Sequence, residues 1–258
     1  MNGPPDDLRA CTARDTRRPR GLAIDLLRLG FLRRLARSPD ADAFVLRGGL
    51  RIAQLAPMRR AIGDVDLVCT RPWDPAEAKR MLQRVLRTSM PDDVSFFRSR
   101  FDVYSGASPR PGVRVYAQGA ARGEGADLVV DVVFDLTLHP RPAWVSMEGF
   151  RVRAVSSSTI VATKLRVVAE LDRGWRPKDL SDALLLLRAR PPADLGAAIE
   201  HAWAQTDVAP REILVRPSWW SPGRARWDAW RREEPEAPPL DAAVGELRER
   251  LAPFWRRR

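Results

Sequence analysis

One stretch constrains the fold of this chain more than any other: residues 44–69, FVLRGGLRIAQLAPMRRAIGDVDLVC. Its first three residues, Phe44-Val45-Leu46, predict a short apolar strand. Gly48 and Gly49 end that strand, because only glycine turns so tightly without a Cβ clash. Residues 50–55 then continue at helical spacing. The pattern predicts a strand, a glycine turn and a helix whose first backbone N–H groups can bind a phosphate.

A second strand follows, and it carries two aspartates. Asp64 and Asp66 alternate with Val65, Leu67 and Cys69, so the carboxylates share one face of the strand. Residues at i and i+2 lie about 7 Å apart at Cα, which lets both carboxylates reach one metal ion or two adjacent ones. Mg²⁺ takes oxygen ligands and usually leaves room for substrate phosphates. A lone Gly-Gly is usually a turn and a lone Asp-x-Asp usually surface, but their ordered pairing is far more specific.

This order of motifs resembles the nucleotidyltransferases of the DNA polymerase β superfamily. Within it, the stretch looks like the abortive-infection toxins of the AbiEii/AbiGii type, which include the MenT toxins. Their pattern is a GG or GS turn, an arginine and then Asp-Ile-Asp-Leu, and Arg60 fits that arginine. Leu50 is a difference, because many members have serine or threonine there. The resemblance implies that nucleotide is bound by Gly48, Gly49 and Arg60, and Mg²⁺ or Mn²⁺ by Asp64 and Asp66.

A third carboxylate comes from a later predicted strand, residues 127–136, DLVVDVVFDL. Its even positions are all apolar, and Asp131 lies in the middle of the opposite face. A charge there is costly unless it is paired or bound to metal. In the superfamily a third carboxylate stands on a strand beside the Asp-x-Asp strand, and Asp131 matches it. The resemblance implies that Asp131 completes the metal site and helps to deprotonate the attacking hydroxyl; the alternative is a surface aspartate on an edge strand.

From about Ser156 the pattern becomes helical. This half carries Lys164, Lys178, Asp179 and Asp182 in the order found in the toxin family, and two of the three lysines of the chain lie here. The resemblance implies that Lys164 binds nucleotide phosphate and that Asp179 supports the active site, both as catalytic residues. The alternative is surface electrostatics, with Lys178 and Asp182 as an i, i+4 pair and Asp179 as a charge at a helix start.

The predicted fold class is α/β: a small mixed β-sheet nucleotidyltransferase domain with flanking helices, followed by a helical C-terminal domain. We expect a disordered N-terminus over residues 1–20, the α/β domain over 21–155 and the helical domain over 156–258, with the active site in the cleft between the domains. The first helix, over 21–37, is expected to expose its arginines. The Pro/Arg/Trp-rich tail could stack unpaired bases, but packing of the tryptophans onto the helical domain is favoured.

The charge, the cysteines and the hydropathy of the chain indicate which partner and which cellular compartment to expect. The net charge of +11 and the pI near 11.0 indicate a polyanionic partner, nucleic acid first. Cys11 and Cys69 form no CxxC pair, which argues against a disulfide scaffold and a zinc site. The N-terminus lacks a secretory signal, and no apolar run approaches the ~20 residues of a membrane span. We therefore expect a cytoplasmic protein without a membrane partner.

Together these features predict a metal-dependent nucleotidyltransferase that moves an NMP from an NTP to an acceptor hydroxyl. The family resemblance implies an RNA acceptor, in particular a tRNA 3′ end, and a toxin of a toxin–antitoxin or phage-defence system with a cognate antitoxin. Two alternatives stay open: a small-molecule (antibiotic) nucleotidyltransferase and a non-catalytic nucleotide-binding module. The second should have lost a carboxylate, whereas all three are present.

Overall fold

The fold is that of a computed structural model, which describes residues 19–58, 60–104, 110–189, 192–206 and 211–255. The chain divides into two compact units, Met1–Thr137 with Pro142–Val155, and Leu138–Arg141 with Ser156–Arg258. The predicted disordered segment, residues 1–20, lies outside the described residues except for its last two, which begin the first helix. No helix within the described ranges combines the length and the apolar character needed to cross a membrane.

Within the described residues, the first unit contains three helices and seven strands. In chain order they are α1 (Pro19–Arg37), β1 (Phe44–Arg47), α2 (Gly48–Leu55), β2 (Val65–Cys69), α3 (Pro75–Arg87), β3 (Val94–Tyr104), β4 (Gly112–Ala121), β5 (Glu124–Val133), β6 (Ala143–Met147) and β7 (Phe150–Ala154). Helix α3 begins at Pro75 because proline is favoured in a first helical turn and the Asp74 side chain accepts hydrogen bonds from the backbone N–H groups of Ala76 and Glu77.

All seven strands join one mixed sheet in the order β3-β4-β5-β2-β1-β7-β6. Strands close in sequence pair antiparallel, as in β3–β4, β4–β5, β1–β2 and β6–β7. Strands that are distant in sequence pair parallel, as in β2–β5 and β1–β7. The predicted α/β class with a mixed sheet and flanking helices is therefore confirmed.

Helices α1 and α3 supply the apolar side chains that cover one face of the sheet. Leu27 and Phe31 of α1 and Met81 and Val85 of α3 are at most 1% exposed and belong to one cluster with the strands. Burying such side chains is the main stabilising term of the unit, at about 1.5–3 kcal/mol each. Leu22, near the start of α1, is 40% exposed and lies outside this cluster.

The expectation that α1 exposes its arginines is wrong for two of them. Arg28 is 6% exposed and Arg34 is 3% exposed. Arg34 donates to both carboxylate oxygens of Asp92, at 2.9 and 3.0 Å. Its remaining hydrogen bonds go to the carbonyls of Gly30, Thr88 and Val94. A planar guanidinium with five donors can link a helix, a loop and a strand in this way. The spacing of residues along α1 does not distinguish such an arginine from an exposed one.

The second unit is helical. Its elements are α4 (Ser157–Leu171), α5 (Pro177–Ala189), α6 (Leu195–Trp203), α7 (Pro217–Trp220), α8 (Arg224–Glu233) and α9 (Leu240–Trp255), with short 3₁₀ turns at Asp172–Gly174, Arg211–Val215 and Ser221–Gly223. The helical half begins where its sequence pattern does, because the Ser156 side chain caps α4 by accepting a hydrogen bond from the Thr159 N–H at 3.1 Å.

Tryptophans of the C-terminal tail pack inside this helical unit. Trp220 and Trp227 are at most 1% exposed and lie against the equally buried Trp175, with ring centroids 5.0 and 6.3 Å away. Their indole N–H groups donate to backbone carbonyls of Leu214 and Pro238. Buried rings of this kind cannot stack on bases, so for Trp220 and Trp227 the packing interpretation is the right one.

Candidate active site

The glycine turn lies directly against the second aspartate of the Asp-x-Asp strand. Gly48 has φ +67°, and a Cβ at this position would lie 1.8 Å from Oδ2 of Asp66. Both the left-handed backbone and the close approach therefore demand glycine. Gly49 is buried, and its nearest neighbour is Ile62, 3.4 Å from where its Cβ would be. The turn thus brings the first N–H groups of α2 next to a carboxylate.

Strand register places four charged residues in one line across the sheet. Asp66 of β2 pairs with Asp131 of β5 on one side and with Arg47 of β1 on the other. Asp131 pairs in turn with Arg114 of β4. Partners in register share a face of the sheet, so Arg114, Asp131, Asp66 and Arg47 form a charged row. Asp64 precedes β2 by one residue and is half-buried.

Asp131 is held at both of its oxygens. The Tyr104 hydroxyl donates to Oδ1 at 2.6 Å, and Nη2 of Arg114 donates to Oδ2 at 2.6 Å. Burial raises the pKa of the Tyr104 phenol, and its bond to Asp131 raises it further, so the hydroxyl keeps its proton. The same carboxylate raises the pKa of Arg114 through their hydrogen bond. The charge of Asp131 is therefore paired, as a charge in mid-strand requires.

Buried Arg28 of α1 organises the backbone that leads into Asp64. Its guanidinium donates to the carbonyl of Ile62 and, at 3.3 Å, to that of Gly63, and it also donates to Asp25 at 2.6 Å. These bonds join a core helix to the two residues before Asp64. Arg28 is thus a structural support for the Asp-x-Asp motif that the sequence analysis missed.

Arg60 lies beside the glycine turn, where the resemblance expects a nucleotide ligand. Its Nη2 is 3.9 Å from the Cβ position of Gly49. Six of the predicted site residues belong to the first unit. They are Gly48, Gly49, Arg60, Asp64, Asp66 and Asp131.

The predicted metal ligands are carboxylates, a ligand type that suits a divalent cation. Carboxylate oxygens are the ligands that Mg²⁺ and Mn²⁺ prefer, and two of the three predicted carboxylates stand opposite each other on neighbouring strands. In the part of the chain that the structure describes, however, no group of three or more Asp, Glu, His or Cys side chains is close enough to hold an ion. The predicted ligands Asp64, Asp66 and Asp131 do not form such a group in the structure, and their binding of a cation stays a prediction.

The two other predicted residues, Lys164 and Asp179, lie in the second unit and contact each other. Lys164 Nζ is 2.8 Å from Oδ1 of Asp179 and 2.8 Å from Oδ2 of Asp182. Burial acts to raise the pKa of Asp179, but Lys164 and Arg176 outweigh it and hold that pKa below its usual value. Asp179 and Asp182 are 1% and 2% exposed. The surface alternative, an ion pair of Lys178 with Asp182, is therefore wrong.

The residues that sequence reasoning missed are the partners of the carboxylates. Arg47 has a local signal, since it directly precedes the glycine pair. Tyr104 and Arg114 have none, because only the register of β3, β4 and β5 brings them to Asp131.

Comparison with known proteins identifies a family and structures of similar fold. The family model described as nucleotidyl transferase AbiEii toxin, type IV toxin–antitoxin system, matches residues 30–249. The structure of JHP933 from Helicobacter pylori is 17% identical with a TM-score of 0.58, over 92% of each chain. A second H. pylori structure, described as that of a candidate nucleotidyltransferase, is 17% identical with a TM-score of 0.56, over 89% of this chain and 92% of that one. At such identity these structures support the fold alone. No curated protein is significantly similar in sequence.

Proposed function

Because the chain belongs to the AbiEii nucleotidyl transferase toxin family of type IV toxin–antitoxin systems, we propose that this nucleotidyltransferase moves an NMP from an NTP to a hydroxyl of RNA, with the tRNA 3′ end as the acceptor. One observation carries the proposal: Asp66 pairs with Asp131 across neighbouring strands, and the Gly48 turn lies directly against Asp66. A carboxylate pair beside a helix N-terminus suits a reaction at a phosphate.

Different residues of the first unit bind the phosphates of the NTP and accept the proton of the acceptor hydroxyl. The N–H groups of Gly48 and Gly49 and the guanidinium of Arg60 bind the phosphates of the NTP. The acceptor oxygen bonds to the α-phosphorus, the bond to the β-phosphate breaks, and pyrophosphate leaves. The hydroxyl proton passes to an oxygen of Asp131. Phosphate binding by Lys164 and support by Asp179 stay predictions drawn from the family.

A divalent cation, Mg²⁺ or Mn²⁺, would be held by Asp64, Asp66 and Asp131, and when bound it supplies charge neutralisation at the phosphates. Without a bound cation, the positive charges of Arg114 and Arg47 at the two ends of the charged row offset the repulsion between Asp66 and Asp131.

An RNA acceptor fits the charge of the chain. Eight of its eleven net positive charges lie in residues 1–155, the part that contains the carboxylates. A polyanionic acceptor is attracted to such a surface, and its binding weakens with salt as counterions are released. In the cell we propose a cytoplasmic toxin of a phage-defence system, restrained by a cognate antitoxin.

The test is incubation with each α-labelled NTP, Mg²⁺ and total RNA, followed by a denaturing gel. We expect one NTP to label RNA of tRNA size, and Asp66→Asn to abolish the label. If no NTP labels RNA but small-molecule acceptors are labelled, the RNA proposal is wrong and the antibiotic-type alternative takes its place.

A further inference from the structure

Asp131 is held by two side chains that the reaction described above does not use. One of them, Tyr104, lies at the end of β3, and β4 separates that strand from Asp131 on β5. The phenol can pass over β4 only because its partner in register there is Gly112. A Cβ at Gly112 would lie 2.4 Å from both Cζ and the hydroxyl oxygen of Tyr104. The glycine thus provides the path by which the hydroxyl reaches Oδ1.

The other, Arg114, approaches from the neighbouring strand. It is the partner of Asp131 in register, and its Nη2 is 2.6 Å from Oδ2. The arginine side chain is 45% exposed, whereas that of Asp131 is 14% exposed. A half-exposed pair of this kind adds little to stability. Its effect is better sought in the geometry of the carboxylate, which otherwise rotates in a broad torsional well.

We propose that Tyr104 and Arg114 are positioning residues that fix the Asp131 carboxylate for nucleotidyl transfer. A carboxylate offers about four acceptor positions, two on each oxygen. Tyr104 takes one on Oδ1 and Arg114 takes one on Oδ2, so each oxygen keeps a position for a cation or for the acceptor hydroxyl. Asp131 can therefore act without losing either partner. This inference rests on the proposed function of Asp131.

The first experiment compares Tyr104→Phe and Arg114→Gln with Arg100→Gln. Arg100 lies on the same face, exposed on β3, and pairs with Asp102 rather than with Asp131, so it controls for loss of one surface charge. We expect kcat to fall about 10- to 100-fold in the two test variants, as for outer-shell partners of metal ligands. The KM for the NTP should stay near the wild-type value, because neither residue is proposed to bind nucleotide.

Two further readouts separate positioning from a structural role. Arg114→Lys should restore part of the kcat lost in Arg114→Gln, because a lysine keeps the charge but not the planar guanidinium. Mn²⁺ binding, measured by calorimetry without RNA or nucleotide, should weaken about 10-fold or more in Tyr104→Phe and stay unchanged in Arg100→Gln.

A double-mutant cycle of Tyr104→Phe with Asp131→Ala, measured by urea unfolding, tests the hydrogen bond without any activity. We expect a coupling of about tenfold in the unfolding equilibrium constant, since bonds to charged groups are the stronger ones. Wild-type kcat in Tyr104→Phe, or a cycle without coupling, would overturn the inference. If the coupling is present but the unmutated protein transfers no nucleotide, the proposed function is wrong and the positioning role falls with it.

Discussion

Gly48→Ala tests the contact between the glycine turn and the Asp-x-Asp strand. The new Cβ would lie 1.8 Å from Oδ2 of Asp66, and real Cβ contacts stay beyond 3.0 Å, so the carboxylate must move by the difference of about 1.2 Å or more. The left-handed backbone at φ +67° adds about 1–2 kcal/mol of strain. Overpacking adds roughly 1–3 kcal/mol. We expect the free energy of unfolding to fall by about 2–5 kcal/mol, which leaves a domain of typical stability folded.

The effect on activity should be larger than the effect on stability. A displacement of about 1 Å in a catalytic group can reduce a rate about 100-fold, so Gly48→Ala should lower nucleotidyl transfer by at least that factor. Gly49→Ala is the matched control. Its Cβ would meet Ile62 at 3.4 Å, an ordinary contact, and its φ is not in the left-handed region. Within a helix the change from glycine to alanine can even stabilise, by up to about 1 kcal/mol.

The assay is transfer of labelled NMP to RNA, together with urea unfolding of each variant. Equal loss of activity in Gly48→Ala and Gly49→Ala would refute the reasoning, because it would assign the effect to the whole turn rather than to Asp66. Wild-type activity in Gly48→Ala would refute it as well.

Three more predictions follow from the same structure. Asp66→Asn should abolish transfer while the far-UV circular dichroism spectrum stays native; retained activity would contradict the metal-ligand role. Arg34→Met should lower the free energy of unfolding by about 3–5 kcal/mol, because it leaves the charge of Asp92 without its partner, and an unchanged urea midpoint would be inconsistent with this. Lys164→Ala should destabilise the protein far more than Lys178→Ala, whose lysine is exposed. Lys164 lowers the pKa of a buried aspartate, so its stabilisation is present above the unfolded pKa of about 3.9 and is lost as pH falls below it. The difference between the two variants, followed by thermal melts from pH 7 to pH 3, should therefore shrink on the acid side.

Much of the fold could be predicted because it is encoded by neighbouring residues. The boundaries of α3 follow from Asp74, Pro75 and an apolar helical face. The glycine pair explains why β1 ends at Arg47 and α2 begins at Gly48. The alternation of apolar residues with aspartates distinguished the two faces of β2 and of β5. The mixed sheet and helical second half were predicted on the same grounds. Such patterns act within a few residues of chain, so they can be interpreted without knowing which strands meet.

The sequence by itself therefore determined the elements, the glycine turn and the three candidate carboxylates. Only the tertiary structure decided what stands beside them. The parallel pairing of β2 with β5 puts Asp131 opposite Asp66, and the antiparallel pairings bring in Arg47 and Arg114. Likewise, burial turned Arg28 from an expected surface charge into a support for Asp64. Register and burial depend on contacts between residues that are distant in the chain, and a shift of one residue in a strand would reverse every face.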